Sequence, residues 1–175
     1  MTPEGGIGAS VELGSGYSVE SDREARQARY MDLCNEAVSN PAWFQRDDGT
    51  TYCNRAAAFI AQGMGYFGFR HGALANEMIA HLEQDPTWRE DSFERASRHA
   101  QRGGLAFLAM KDSPHGHICA VAPLAMEESG SWSGPVCMVA NVGQKSSHGI
   151  IRASYAFRAA DKPRVKAFVY MGDVA

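Results

Sequence analysis

The 175-residue chain contains no run of about 18 apolar residues, which excludes a membrane-spanning helix and any expectation of membrane insertion. It also lacks an excess of basic charge. Lys and Arg number 17 against 20 Asp and Glu, a formal net charge of −3. A nucleic-acid-binding domain normally shows a basic patch or a high isoelectric point, so no nucleic-acid partner is expected, nor any broad attraction to anionic membranes. Cysteine is sparse: Cys34, Cys53, Cys119 and Cys137 are too few for a disulfide framework in a chain of this length, and free thiols are the expectation. The opening stretch MTPEGGIGASVELGSGYS has neither a basic n-region nor an apolar h-region, so it does not read as a secretory signal and synthesis in the cytoplasm is expected. There are no internal repeats.

What is present suits one globular domain: 45% hydrophobic and 21% charged residues, in a chain long enough to bury a core. Residues 1–18 hold five of the 18 glycines and read as a flexible lead-in, or equally as a linker remnant, ahead of a single domain over residues 19–175. From Ser21, SDREARQARYMDLCNEAVSN predicts a helix, with Glu24 three residues after a possible Ser21 cap. Tyr30, Leu33, Cys34 and Ala37 form its apolar stripe. A helix follows from Cys53 to about Gly63, and another over GALANEMIAHLEQ with Leu74, Met78, Ile79 and Leu82 inward. DPTWREDSFERASRHAQRGG predicts a further helix, capped by Asp85 or Thr87 and closed by Gly103 and Gly104. The period then changes. LAFLAMK, HICAVA, VCMVANVG and RVKAFVYM are short apolar runs bounded by turn residues and read as strands. DSPHG makes a hairpin turn, and PLAMEESGSWSGP is a longer loop. Helices first and strands after indicate an α+β fold, with helices packed on an antiparallel β-sheet.

Three residues carry candidate chemistry. Cys53 opens a helix, where unpaired backbone N–H groups and the positive end of the helix dipole lower a thiol pKa. Taken alone it reads as readily as a buried small hydrophobe. His117 stands after Gly116 at the entry to an apolar strand, with an ordinary pKa suited to taking a thiol proton. A surface or core histidine is the plain alternative for His117. His115 would share its face in a continuous strand but falls in the turn. Asn141 ends the next apolar run. If the two strands are neighbours it can accept a hydrogen bond from the imidazole, completing a Cys-His-Asn set; otherwise it is a strand-ending turn residue. For an oxyanion hole the backbone N–H of Cys53 is one candidate, with Gln45 or Tyr52 as side-chain donors. A competing arrangement places His115, His117, Cys119 and Cys137 around a metal, although the spacing matches no recognised zinc pattern.

In residue type, order and rough spacing, TYCNRAAAFIAQGMG, GHICAVAP and VANVG resemble the papain-like cell-wall amidases and peptidases of the CHAP and NlpC type. GALANEMIAHL, Trp88 and ASRHAQRGGLAFLA are similar to the connecting helices and first strand of phage-lysin-type members, so that the resemblance spans about residues 40–170. It implies a papain-like core and hydrolysis of an amide bond in peptidoglycan by Cys53, His117 and Asn141. It further implies no cofactor and no catalytic metal, peptidoglycan as the partner, and action as a monomer on the cell wall after release, as in phage lysis. An injected effector peptidase acting on a wall or protein amide, and a non-catalytic binding module of the same fold, are the alternatives.

Overall fold

The computed structural model describes residues 15–43, 52–143 and 147–172; side chains are described from Ser21 onward. Among these residues five α-helices and eight strands follow in the order α1 (Ser15–Ser39), α2 (Cys53–Gly63), α3 (Ala75–Gln84), β1 (Trp88–Asp91), α4 (Phe93–Gln101), β2 (Ala106–Met110) and β3 (His117–Val121). After these come β4 (Glu127–Ser129), β5 (Gly134–Val136), β6 (Met138–Asn141), β7 (Gly149–Arg152), α5 (Ala153–Ala156) and β8 (Lys166–Tyr170). The fold is α+β, as the order of periods predicts. Six strands form one sheet in the order β1-β8-β2-β3-β6-β7, and each neighbouring pair is antiparallel. Among the described residues no helix is long and apolar enough to cross a membrane.

The centre of the sheet is the centre of the core. Every residue of β2 is buried, as are four of the five in β3. Strand alternation puts Phe107, Phe168, Trp88 and Tyr170 on one face. The rings of Tyr66 and Phe69, from the α2–α3 connection, close over that face, with Tyr66 meeting Trp88 edge-on at 5.1 Å and Phe69 lying 5.9 Å from Phe107. Helix α2 packs on β3 and α1, and α4 packs on β2, β3 and β8.

A buried polar contact ties helix α1 to the centre of the sheet. The Tyr30 hydroxyl donates to the Ala106 carbonyl at 3.1 Å and lies 3.3 Å from the Ala106 N–H. Tyr30, Cys34 and Ala37 are fully buried, so the predicted stripe is the packed face, with Leu33 partly covered.

Several expectations need correction. Helix α1 begins at Ser15, six residues before Ser21 and inside the stretch read as a flexible lead-in. The single helix expected over DPTWREDSFERASRHAQRGG is a strand followed by a helix. Trp88–Asp91 pairs with β8 at the sheet edge, and α4 starts after Ser92, whose side chain accepts from the Arg95 N–H at 3.2 Å. Neither Asp85 nor Thr87 caps that helix. Asp85 ends α3, and its carboxylate accepts from both the N–H and the hydroxyl of Thr87. Leu74 is exposed rather than inward because it precedes the first turn of α3, where its N–H donates to Glu77 Oε2 at 2.7 Å. The loop before β6 contains the β4–β5 hairpin, and β7 adds a strand that the apolar runs did not reveal.

Replacing Tyr30 by Phe should cost about 1–2 kcal/mol of stability, because Ala106 loses a buried hydrogen-bond partner. Denaturant unfolding of the two proteins measures this. An unchanged midpoint would mean that α1 is held by apolar packing alone.

Candidate active site

The N-terminus of α2 abuts the start of β3. The first intrahelical bond runs from the Ala56 N–H to the Tyr52 carbonyl at 3.1 Å, so the N–H groups of Cys53, Asn54 and Arg55 have no acceptor within the helix. Cys53, Ala56, Ala57 and Ile60 form the buried side of the helix. Cys53 is therefore at once a core residue and the first residue of a helix; it keeps 8% exposure. The Cys53 thiol lies beside His117 and the backbone N–H groups of Ile118 and Asn54, each of which acts to lower its pKa.

Register explains why Asn141 reaches His117. Strands β3 and β6 pair Ala120 with Ala140 and Val121 with Val139. One further step sets Asn141 opposite Cys119, on the diagonal of His117 and on the same side of the sheet. The His117 Nε2–H donates to Asn141 Oδ1 at 2.6 Å. The amide cannot be turned the other way, because Asn141 Nδ2 donates to the Ser147 carbonyl. That bond orients Oδ1 toward the ring, makes Nε2 the protonated nitrogen, and leaves Nδ1 to exchange a proton with the Cys53 sulfur. Phe157 meets the His117 ring edge-on at 5.2 Å and walls its apolar side.

The electrostatics follow from this pairing. Burial pushes the Cys53 thiol up, but the positive charge of His117 and the hydrogen bonds from His117, Ile118 and Asn54 outweigh it, and the net shift is downward from 9.0. Burial pulls His117 down, while the Cys53 charge and hydrogen bonds with Cys119 and Cys53 raise it well above 6.5. Each group's charge is the main influence opposing burial on the other, so the two titrate as a coupled pair. The other thiols behave differently. Burial raises Cys34 and Cys137 each to about 12, and burial also raises Cys119 despite its neighbour His117.

Two glycines make this geometry possible. An ideal Cβ on Gly116 would lie 2.2 Å from Asn76 Oδ1 and 2.8 Å from the Met110 carbonyl. Asn76 of α3 clamps the turn before His117, donating from Nδ2 to the Asp112 carbonyl at 2.7 Å and accepting from the Asp112 N–H at 3.3 Å. Only a residue without a side chain fits between that amide and the end of β2. A Cβ on Gly143 would come within 2.9 Å of Asn141 Nδ2. Asn76, Gly143, Ser147 and Phe157 had no motif to mark them. Asn76 and Phe157 act through contacts distant in sequence, whereas Gly143 and Ser147 act locally on the Asn141 amide, two and six residues on.

The remaining expectations divide. His115 is exposed in the turn, as its position suggests. Tyr52 precedes α2, and its ring lies under the Arg55 guanidinium, 4.1 Å from the ring centroid. Gln45 lies outside the described residues. The competing metal set is not brought together. The Cys137 sulfur donates to the Phe93 carbonyl at 3.1 Å, and among the described residues no three His, Cys, Asp or Glu side chains are placed to hold an ion. A groove of about 490 Å³ runs along the outer side of α2, beginning at Asn54 and Arg55, the two residues after Cys53.

No family model matches the chain, and no curated protein matches it.

Alkylation by iodoacetamide tests the paired charge. Peptide mapping should show Cys53 modified rapidly near neutral pH, where an ordinary cysteine is only a few per cent thiolate, with Cys34, Cys119 and Cys137 protected. The rate should fall on the acid side as Cys53 is protonated. His117→Ala should move the midpoint upward, since burial then lacks its counterweight, and Gly116→Ala should move it part of the way. A midpoint indifferent to His117 would contradict the pair.

Proposed function

We propose that the protein is a cysteine-dependent amidase with a papain-like core, of the CHAP and NlpC type, that hydrolyses an amide bond of peptidoglycan. The observation that carries this reading is a cysteine at a helix start, beside a histidine whose Nε2 is held by Asn141 at 2.6 Å. A nucleophile, a base and an orienting group on three separate elements converge there, which is the arrangement nucleophilic acyl transfer requires.

The steps follow from the chemistry of those groups. His117 Nδ1 holds the proton of the Cys53 thiol, and the thiolate adds to the amide carbonyl carbon. The carbonyl oxygen takes up the negative charge, and the N–H groups at the start of α2 are the donors nearest to that charge. As the C–N bond breaks, the imidazolium gives its proton to the departing amine and a thioester remains. Water then attacks the thioester with His117 accepting one of its protons, the C–S bond breaks and the sulfur takes that proton back, and the carboxylic acid released gives its remaining proton to solvent. Asn141 holds the ring in one tautomer throughout. No cofactor enters the scheme. In this reading the partner is peptidoglycan, the protein acts as a monomer, and it reaches the wall by release during phage lysis.

Dye release from labelled peptidoglycan, with mass analysis of the soluble products, tests the reading and identifies the bond. Cys53→Ala should abolish release with unfolding unchanged. His117→Ala should lower the rate by about 10⁴-fold or more, whereas Asn141→Ala should cost roughly 100-fold less than that, because an orienting group supplies neither electrons nor a proton acceptor. Asn141→Asp should retain more activity than Asn141→Ala, and His115→Ala nearly all. Intact walls after prolonged incubation, or lysis that survives Cys53→Ala, would overturn the assignment.

A further inference from the structure

A second groove, of about 320 Å³, lies between α4 and the β1 edge of the sheet and concentrates positive charge. Two local patterns build it. Arg95, Arg98, His99 and Arg102 recur at three- and four-residue spacing, opposite the buried Ala96, Ser97 and Ala100, and form the outer stripe of α4 and its C-cap. Alternation along β1 sends Arg89 and Asp91 away from Trp88, to the face that carries Val169. Four arginines therefore line the groove with a single carboxylate. The whole chain carries −3, so its total charge hides this patch. That carboxylate is shared: Asp91 accepts from Arg89 at 2.7 Å and lies 3.8 Å from Arg95. Arg98 faces Glu94 at 3.6 Å, where both side chains are exposed and solvent weakens the attraction. Arg102 is exposed and has no carboxylate within ion-pair distance among the described residues. His99 adds no charge near neutral pH: burial holds its imidazole below 6.5, and the charges of Arg26, Arg89 and Arg102 act in the same direction. The groove keeps an excess of cations, on guanidinium groups whose planar forks match phosphate oxygens.

Position and lining narrow the ligand. His117 pairs with Met110, whereas Val169 pairs with Ala106, four steps back along β2, so the groove lies about 13 Å from His117 in the strand direction alone and toward the opposite edge of the sheet. A ligand held there is remote from Cys53 and serves attachment rather than chemistry. From Arg95 to Arg102 the helix advances about 10 Å, room for more than one phosphate of a chain. The apolar lining is Val169 and Met171, with no aromatic ring on which a nucleobase could stack. We propose that this groove is an attachment site for a phosphodiester-linked polyol chain of the bacterial cell wall, a flexible polyanion without bases whose phosphates meet Arg95, Arg98 and Arg102 along α4. The choice of a wall polymer rests on the peptidoglycan reading of the protein, whereas the cationic groove stands independently of it.

Fluorescence anisotropy with labelled poly(glycerol phosphate) tests the site. The wild-type protein should bind it with an affinity that falls as salt rises. Arg95→Gln/Arg102→Gln should weaken binding by about tenfold or more, as loss of two charge-assisted contacts implies. Arg95→Lys/Arg102→Lys, which keeps the charge but loses the fork, should retain part. Arg55→Gln/Arg70→Gln removes the same charge outside the groove and should bind as the wild type does. No binding by the wild type, equal weakening in the two glutamine variants, or tighter binding of single-stranded DNA with the same number of phosphates would overturn the proposal. A second arm compares dye release from walls that carry the phosphodiester polymer and from walls stripped of it with hydrofluoric acid. Arg95→Gln/Arg102→Gln should be slower than the wild type on the first and equal to it on the second. A deficit that persists on stripped walls would overturn the role in attachment. Binding that Arg95→Gln/Arg102→Gln loses, together with walls that even the wild type leaves intact, supports the site and counts against the amidase reading instead.

Discussion

The site depends on the N-terminus of α2 being pressed against the first residues of β3. That contact brings a sulfur, an imidazole and two backbone N–H groups together where water is largely excluded, and it makes each charge conditional on the other. Burial alone would keep Cys53 protonated and His117 neutral; both shifts are reversed by the partner. A buried ion pair is an inefficient way to stabilise a fold, since desolvation offsets most of the attraction. Two apolar side chains in these places would serve packing better. A thiol lowered and an imidazole raised by one another mark this pair as the candidate site.

The surrounding structure holds that contact in place. The buried Cys53, Ala56, Ala57 and Ile60 dock α2 on the sheet, and small residues let the helix approach closely. Asn76 sets the height of the turn before His117 and needs Gly116 to do so. Asn141 is secured from the other side by the Ser147 carbonyl, which gives its amide one orientation. The imidazole is thus held by its own turn and strand, by the Asn141 amide of β6 and by the edge of Phe157.

Much of this was legible in the sequence where local signals agree. Cys53 lies between turn residues and an alanine-rich apolar run, His117 between Gly116 and an apolar run, and Asn141 at the end of one; all three mark element boundaries, where functional side chains can face a neighbour. The rest depends on partners far along the chain. Trp88–Asp91 is a strand only because Lys166–Tyr170 offers it a sheet edge, and four residues with two acidic members do not announce that. Ser92 caps α4, whereas the sequence pointed to Asp85 or Thr87, and Asp85 ends α3. Leu74 fits a helical apolar stripe by spacing and is nevertheless exposed at the helix start. Asn76 and Phe157 carry no local signature, since their contributions exist only once the sheet is assembled.

The central claim is that Cys53 and His117 share one charge state. Following the His117 ring resonances by nuclear magnetic resonance across a pH series, in the wild-type protein and in Cys53→Ala, reads that claim from the base rather than the nucleophile. The paired account predicts an imidazolium that persists well above the ordinary histidine range in the wild type. It predicts a titration that drops below that range in Cys53→Ala, where burial acts without the thiolate. A His117 that titrates alike in both proteins would contradict it.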